Sequence, residues 1–254
     1  MSSNPKTALI TGGSRGLGRN MALAIAKKGI DVAITYHANQ SEAEKVATEI
    51  RALGQKAYIF QLDTRNISQF DSFATQLSGE LQKQNGSPNI DFLINNAGTA
   101  LYAAAIDTTE EQINDIFNIH YKGVFLLTQK LLPYLNDGGG VINISSGLAR
   151  IIVPGSSVYG SIKAAVEVLT RYLAKELGHR KIRVNVVAPG AIETDFGGGR
   201  TRDNKEINDR IASATALGRV GLPEDIGGVV AFLCTDDAYW INGQRIEVSG
   251  GQSL

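Results

Sequence analysis

The sequence predicts an α/β fold, a doubly wound parallel sheet of about seven strands with helices on both faces. Three observations carry that expectation: short β-branched or apolar runs alternate with longer helix-period segments, a Gly-rich turn follows the first run, and the composition suits one large core. The runs are TALI (7–10), DVAIT (31–35), KAYIF (56–60), DFLI (91–94), GVINI (140–144), RVNVVA (183–188) and RIEV (245–248). Segments such as LGRNMALAIAKKG and QSEAEKVATEIRALG lie between them, with apolar residues at three- and four-residue steps and Gly29 and Gly54 as C-terminal caps. Such βαβ units bind ligands at the carboxyl ends of their strands.

The 254 residues are 43% hydrophobic and 20% charged, and no linker-like tract divides them, so a single domain spanning 1–254 is expected. Twenty-five basic and twenty-five acidic residues cancel, which removes the electrostatic case for nucleic acid or an anionic membrane as main partner. A small molecule is the expected partner. Cys234 is the lone cysteine, so no intrachain disulfide forms and no cysteine metal site is expected; no metal is assigned. The polar start MSSNPK and the absence of a long apolar run point to a soluble, cytoplasmic protein.

From about 108 to 135 one helical pattern runs on from the capping sequence DTTEEQ. It contains IFNIHYKGVF (116–125), with Asn118 and His120 as candidate site residues. Residues two apart on a helix diverge by roughly 200°, so only one of them faces a pocket. The segment 190–206 is Gly-rich, polar and long for a connection, which suits a substrate lid at about 190–212 or a disordered excursion.

TGGSRGLG (11–18) opens the first helix. Gly12, Ser14, Gly16, Leu17 and Gly18 offer backbone N–H groups and the helix dipole to a pyrophosphate, although the spacing is not the common G-x-G-x-x-G. The second strand ends at Tyr36 and His37 without the acid that would hold an NAD ribose. Arg15 can meet a 2′-phosphate with His37 assisting, which favours NADP (NADPH) over NAD, or it is a surface charge. Asp63, followed by Thr64, reads as an adenine contact or as a cap before Ile67.

In VYGSIKAAVEVL, Tyr159 and Lys163 are four apart on one helix face. A neighbouring ammonium would lower the phenol from its usual value near ~10; two or three units require about 3–4 kcal/mol. Ser145 and Ser146, at the end of a strand, can hold a carbonyl oxygen beside the phenol or be ordinary strand-end residues. Together these groups suggest hydride transfer to a ketone with a tyrosine proton donor. Leu148, Ile151, Ile152 and Val153 suit an apolar substrate portion or the core.

These motifs, in this order, resemble the short-chain dehydrogenase/reductase family in its compact single-domain, Rossmann-type form. TGGSRGLG matches the TGxxxGxG loop, NNAG (95–98) the motif after the fourth strand and YGSIK the YxxxK pair; PGAIET (189–194) and the ending INGQRIEVSGG complete a likeness from about 7 to 251. The resemblance implies Tyr159 as general acid, Lys163 as the group that tunes it and holds the nicotinamide ribose, and Ser146, thirteen residues before the tyrosine, as the carbonyl-binding hydroxyl. It implies that Asn95, with Ala97 and Gly98, steadies the central strand and cofactor, that Asp63 meets the adenine, and that Pro189, Gly190, Ile192 and Thr194 flank the nicotinamide. Counting back three from Gly123 places His120 where the family has its fourth catalytic residue, an asparagine. The expectation is a working proton relay with altered pH dependence, an imidazole being able to shuttle protons near neutral pH; a satisfied helix histidine with Asn118 used instead is the alternative.

The implied function is an NADPH-dependent ketone reductase, most similar to the 3-oxoacyl-thioester type. An NAD(P)-dependent alcohol or sugar-alcohol dehydrogenase and a non-catalytic cofactor-sensing protein are the alternatives. The resemblance also implies a homo-oligomer, a tetramer or dimer.

Overall fold

The computed structural model describes residues 5–254. Seven parallel strands form one sheet: β1 (Thr7–Ile10), β2 (Asp31–Tyr36), β3 (Ala57–Gln61), β4 (Ile90–Asn95), β5 (Leu135–Ile144), β6 (Arg183–Pro189) and β7 (Arg245–Val248). Their order is β3-β2-β1-β4-β5-β6-β7, so the winding reverses between β1 and β4. At that reversal the loops after β1 and β4 part to opposite faces and leave a crevice at the carboxyl edge.

The helices are α1 (Gly16–Ala26), α2 (Gln40–Ala52), α3 (Phe70–Asn85), α4 (Glu110–Phe117), α5 (Gly123–Leu131), α6 (Ser157–Glu176), α7 (Arg200–Asp203), α8 (Lys205–Ser213) and α9 (Pro223–Leu233). Alternation along the strands supplies both faces of the sheet. Ala8 and Ile10 of β1 pack with Met21 and Ile25 of α1, Ile50 of α2 and Val230 of α9. Leu9 and Leu93 point the other way, toward Phe73 and Leu77 of α3, Leu131 of α5 and Leu173 of α6. Each such side chain contributes roughly 1.5–3 kcal/mol when taken from water. Between the layers, Asn95 donates to Thr128 Oγ1 and Asn143 Oδ1, and Asn143 donates to Thr170 Oγ1, at 2.9–3.0 Å. This chain of amides fixes β4 against β5, α5 and α6.

Two elements differ from the sequence reading. The segment 108–135 is not one uniform helix: α4 and α5 are joined by a π-helical turn, Asn118–Lys122, in which the Gly123 N–H reaches back five residues to the Asn118 carbonyl. Gly123 there passes against the Thr64 carbonyl, where a Cβ would overlap. The second half of the polar stretch 190–206 is helical, as a 3-10 turn (Phe196–Gly199), α7 and the start of α8, with Asn204 accepting from Ile207 N at 3.0 Å as the cap of α8. No described helix is long and apolar enough to cross a membrane. No group of His, Cys, Asp and Glu among the described residues is arranged for a metal.

Candidate active site

The Gly-rich turn is held from three sides. Gly12 N donates to Thr35 Oγ1 and Gly13 N to Thr35 O on β2. On β4's side, Asn96 Nδ2 donates to the Thr11 and Gly12 carbonyls at 2.9 and 3.1 Å, and Thr11 Oγ1 accepts from the N–H groups of Asn96 and Ala97. Gly18 sits so near the Gly12 carbonyl that a Cβ would overlap it. The helix that starts here lacks a side-chain cap. Arg15 stands at the N-cap position with extended backbone and caps nothing, and the first turn holds no acid, whereas α2, α4 and α8 are capped by Asn39, Thr109 and Asn204. The first N–H groups of α1 therefore remain free for an anion, which fits the phosphates of a dinucleotide.

Arg15 is exposed and meets no carboxylate among the described residues. Tyr36 is buried at the end of β2, and His37 beyond it is exposed, 3.4 Å from Asp63 Oδ2. Asp63 does not cap the turn before Ile67; Asn66 does, accepting from Ser68 N. Asp63 instead accepts from the backbone N and Nε of Arg65 at 3.0 and 3.1 Å, and these contacts hold its carboxyl below the usual range against the opposing effect of burial. Beside them a cavity of about 410 Å³ is lined by His37, Gln61, Asp63, Asn66, Gln69 and Phe73. Thr64 is buried against the π turn.

At the other end of the crevice stand Ser146, Tyr159 and Lys163. Tyr159 and Lys163 are buried on α6, and the phenol hydroxyl hydrogen-bonds the Ser146 side chain, whose Oγ also accepts from Leu148 N at 3.1 Å. Lys163 Nζ donates to the Ile144 carbonyl at 2.7 Å and lies 5.6 Å from the centre of the Tyr159 ring. Ser145 turns away, donating to Glu167 Oε1 at 2.7 Å. Here the electrostatics run against the sequence expectation. Burial raises the Tyr159 phenol above its ordinary range, with the Ser146 hydrogen bond acting the other way, and burial lowers the Lys163 ammonium to about 7. Desolvation outweighs the expected ion-pair effect, so Tyr159 is held as a neutral phenol, a proton donor.

His120 is brought to the site and Asn118 is not. The histidine is 1% exposed, its ring edge-on to Tyr159 at 5.2 Å, while Asn118 is half-buried on another side. The imidazole lies flat over Gly98, where a Cβ would overlap Cε1, and Nε2 is 2.8 Å from the Thr99 carbonyl. The Thr99 N–H lies 3.2 Å from the same Nε2, so both backbone groups of Thr99 meet this nitrogen, and Nδ1 is buried without a partner. Burial first, and then the charge of Lys163, depress its pKa well below the usual histidine value. The ring is therefore neutral at physiological pH.

The remaining expected residues sit as follows. Asn95 spends its side chain inside the sheet, so its amide steadies the strand and does not face the crevice; Asn96 makes the contacts to the Gly turn. Pro189 ends β6, Gly190 N donates to Val248 O, Ile192 bridges to Gly221, and buried Thr194 lies beside Gly16. Leu148 and Ile151 are half-buried, and Ile152 and Val153 are exposed, so the latter pair is not core. The sequence reading missed Thr11, Thr35 and Asn96, although the second asparagine of NNAG pointed to the last. Phe196, whose ring centre lies 6.0 Å from that of Tyr159, is a neighbour of the site to which no local pattern points.

Comparison with known proteins agrees with this arrangement. A family model described as enoyl-(acyl carrier protein) reductase matches residues 12–253. An uncharacterized oxidoreductase of Methylorubrum extorquens is 40% identical over 249 residues, 97% of each chain. The promiscuous reductase LugOII, which catalyzes keto-reduction at C1 during lugdunomycin biosynthesis, superposes with a TM-score of 0.93 at 36% identity over 98% of both chains. The angucycline C-6 ketoreductase LanV with bound NADP gives 0.93 at 34% identity, covering 98% of this chain and 96% of that one.

Proposed function

The chain belongs to the short-chain dehydrogenase/reductase family of oxidoreductases, and from that premise we propose that it is an NADPH-dependent ketone reductase. The observation that carries the reading is the buried Tyr159 hydroxyl set against Ser146, with Lys163 beside the ring. A phenol placed there can deliver a proton to a carbonyl oxygen that the Ser146 hydroxyl also holds.

In the proposed reaction the free N–H groups at the start of α1 and the Gly turn hold the pyrophosphate, Arg15 meets the 2′-phosphate, and Asp63 and His37 stand at the adenine end. Tyr159 and Lys163 hold the nicotinamide ribose, with Pro189, Gly190, Ile192 and Thr194 along the ring. The bound cofactor supplies a hydride. Ser146 donates a hydrogen bond to the carbonyl oxygen, Tyr159 delivers the proton to it, and Lys163 returns a proton to the phenol. The unpartnered Nδ1 of His120 hydrogen-bonds the hydroxylic group that links Lys163 to solvent, a role for a neutral imidazole. The segment about 190–212 is the substrate lid. NADP bound to LanV supports the cofactor preference, and keto-reduction by LugOII and LanV supports the direction.

A 3-oxoacyl thioester substrate is a second reading, for which the matching family model lends only the mention of an acyl carrier in its description. The lid gives it little charge for an acidic carrier: Arg202 is paired with Asp195 and Asp203, and Lys205 with Asp209. The test is the initial rate of NADPH and NADH consumption with cyclic ketones and a 3-oxoacyl thioester. We expect NADPH to be preferred, Tyr159→Phe to lose about 10²–10⁴-fold, and His120→Asn to shift the pH–rate profile. Preference for NADH with alcohol oxidation would support the dehydrogenase alternative, and binding of cofactor without turnover the sensing alternative.

A further inference from the structure

Two aromatic side chains stand half in water beside the buried phenol. Phe196, at the root of the lid, has its ring centre 6.0 Å from that of Tyr159, tilted by 54°. Tyr102, in the loop after β4, stands against the backbone of Gly197, the residue after Phe196. The two are 43% and 47% exposed, a large area of ring left hydrated at the lip of a dry site. Tyr102 is tied to the lid: the backbone at Gly197 runs along its edge, where a Cβ would lie 3.0 Å from Cε2, and the Arg200 guanidinium lies 5.3 Å from its ring centre. Arg200 has no carboxylate partner among the described residues, so the ring face is its contact. The lid residues 196–200 therefore carry one wall of the opening and grip the other.

We propose that Tyr102 and Phe196 form an aromatic clamp over the Tyr159 hydroxyl that selects ketones fused to a flat aromatic ring. The inference rests on the ketone-reductase reading and names its substrate class. A ring entering beside the phenol displaces water from both side chains and meets their quadrupoles in offset or edge-on contact, which an aliphatic chain of equal area does not do. Cation–π contact of Arg200 with Tyr102 holds that wall in place as the ring arrives.

The test compares 2-tetralone with cyclohexanone, which differ by the fused benzene ring, in the wild type, Tyr102→Leu and Phe196→Leu. Leucine keeps apolar bulk and removes the ring. The account predicts that the ratio of kcat/KM for tetralone over cyclohexanone falls about three- to ten-fold in each variant. Equal loss on both substrates, as from a disturbed lid, or an unchanged ratio would overturn the clamp. Calorimetric binding of 2-naphthol to the NADP-saturated protein reads the clamp without turnover. Its Kd is expected to rise at least about three-fold in each variant; no binding, or the same Kd in all three proteins, overturns it. If the wild type reduces no ketone while naphthol binding behaves as expected, the reductase reading fails and the clamp stands.

Discussion

The chemistry at the residue scale turns on three groups that burial forces to share little charge. Lys163, Tyr159 and His120 are all nearly dry, so burial disfavours the charged form of each, and the charge of Lys163 raises the cost of one on His120. The result is a neutral phenol, a neutral imidazole and an ammonium whose pKa has come down to about 7. Stability follows from the same shift. Between about 7 and the ordinary lysine value of 10.5 the unfolded chain binds the Lys163 proton and the folded chain does not, so this position adds stability as pH rises through that window. Below it the buried ammonium stays charged and the contribution is least. Lys163→Met removes the term. Thermal unfolding of both proteins from about pH 7 to about pH 9 should move the gap in favour of the wild type, by at most about 1.4 kcal/mol per pH unit. A gap that is flat with pH, or that moves the other way, contradicts the assignment. That Ser146, Tyr159 and Lys163 lie side by side was legible from the family motifs, which placed Ser146 rather than Ser145 beside the phenol. Their protonation was not, because it depends on how much water the fold removes from each.

Elements were legible where one periodicity governs and illegible where it breaks. The capping box at the start of α4 is as the sequence implies, Thr109 and Gln112 exchanging hydrogen bonds. The π turn is invisible to a 3.6-residue pattern, yet it sets which side of the helix His120 occupies. The segment 190–206 likewise reads as loop because of Gly197, Gly198 and Gly199, all with left-handed backbone, while α8 beyond it follows from the Asn204 cap. The helices also bear on assembly. Phe117 and Phe125 on α4 and α5, and Val168 and Tyr172 on α6, are large apolar side chains left exposed. We expect this face to be covered by a second copy, as the family resemblance implies for a dimer or tetramer. Sedimentation equilibrium should give a multiple of 27.1 kDa, and Phe125→Glu with Val168→Glu should lower it. A wild-type monomer would contradict this.

In the molecule as a whole, the seven strands sit where the alternating runs put them, and the reversal of winding between β1 and β4 gathers the candidate site residues at one edge of the sheet. Strand order is a long-range property that spacing does not contain, and only the structure supplies it. The amide chain from Asn95 to Thr170 was equally hidden, since nothing local tells a buried asparagine from a ligand-facing one. That edge brings the anion-binding start of α1 and the proton donor Tyr159 to one crevice, and the account's central claim is that they act on one reaction. Reduction of 2-tetralone by NADPH deuterated at C4 tests it most directly. The account predicts deuterium on the carbinol carbon of the product, formed at a rate that falls about 10²–10⁴-fold in Tyr159→Phe. Product of equal rate in that variant, or cofactor consumed with no deuterium in the alcohol, would contradict it.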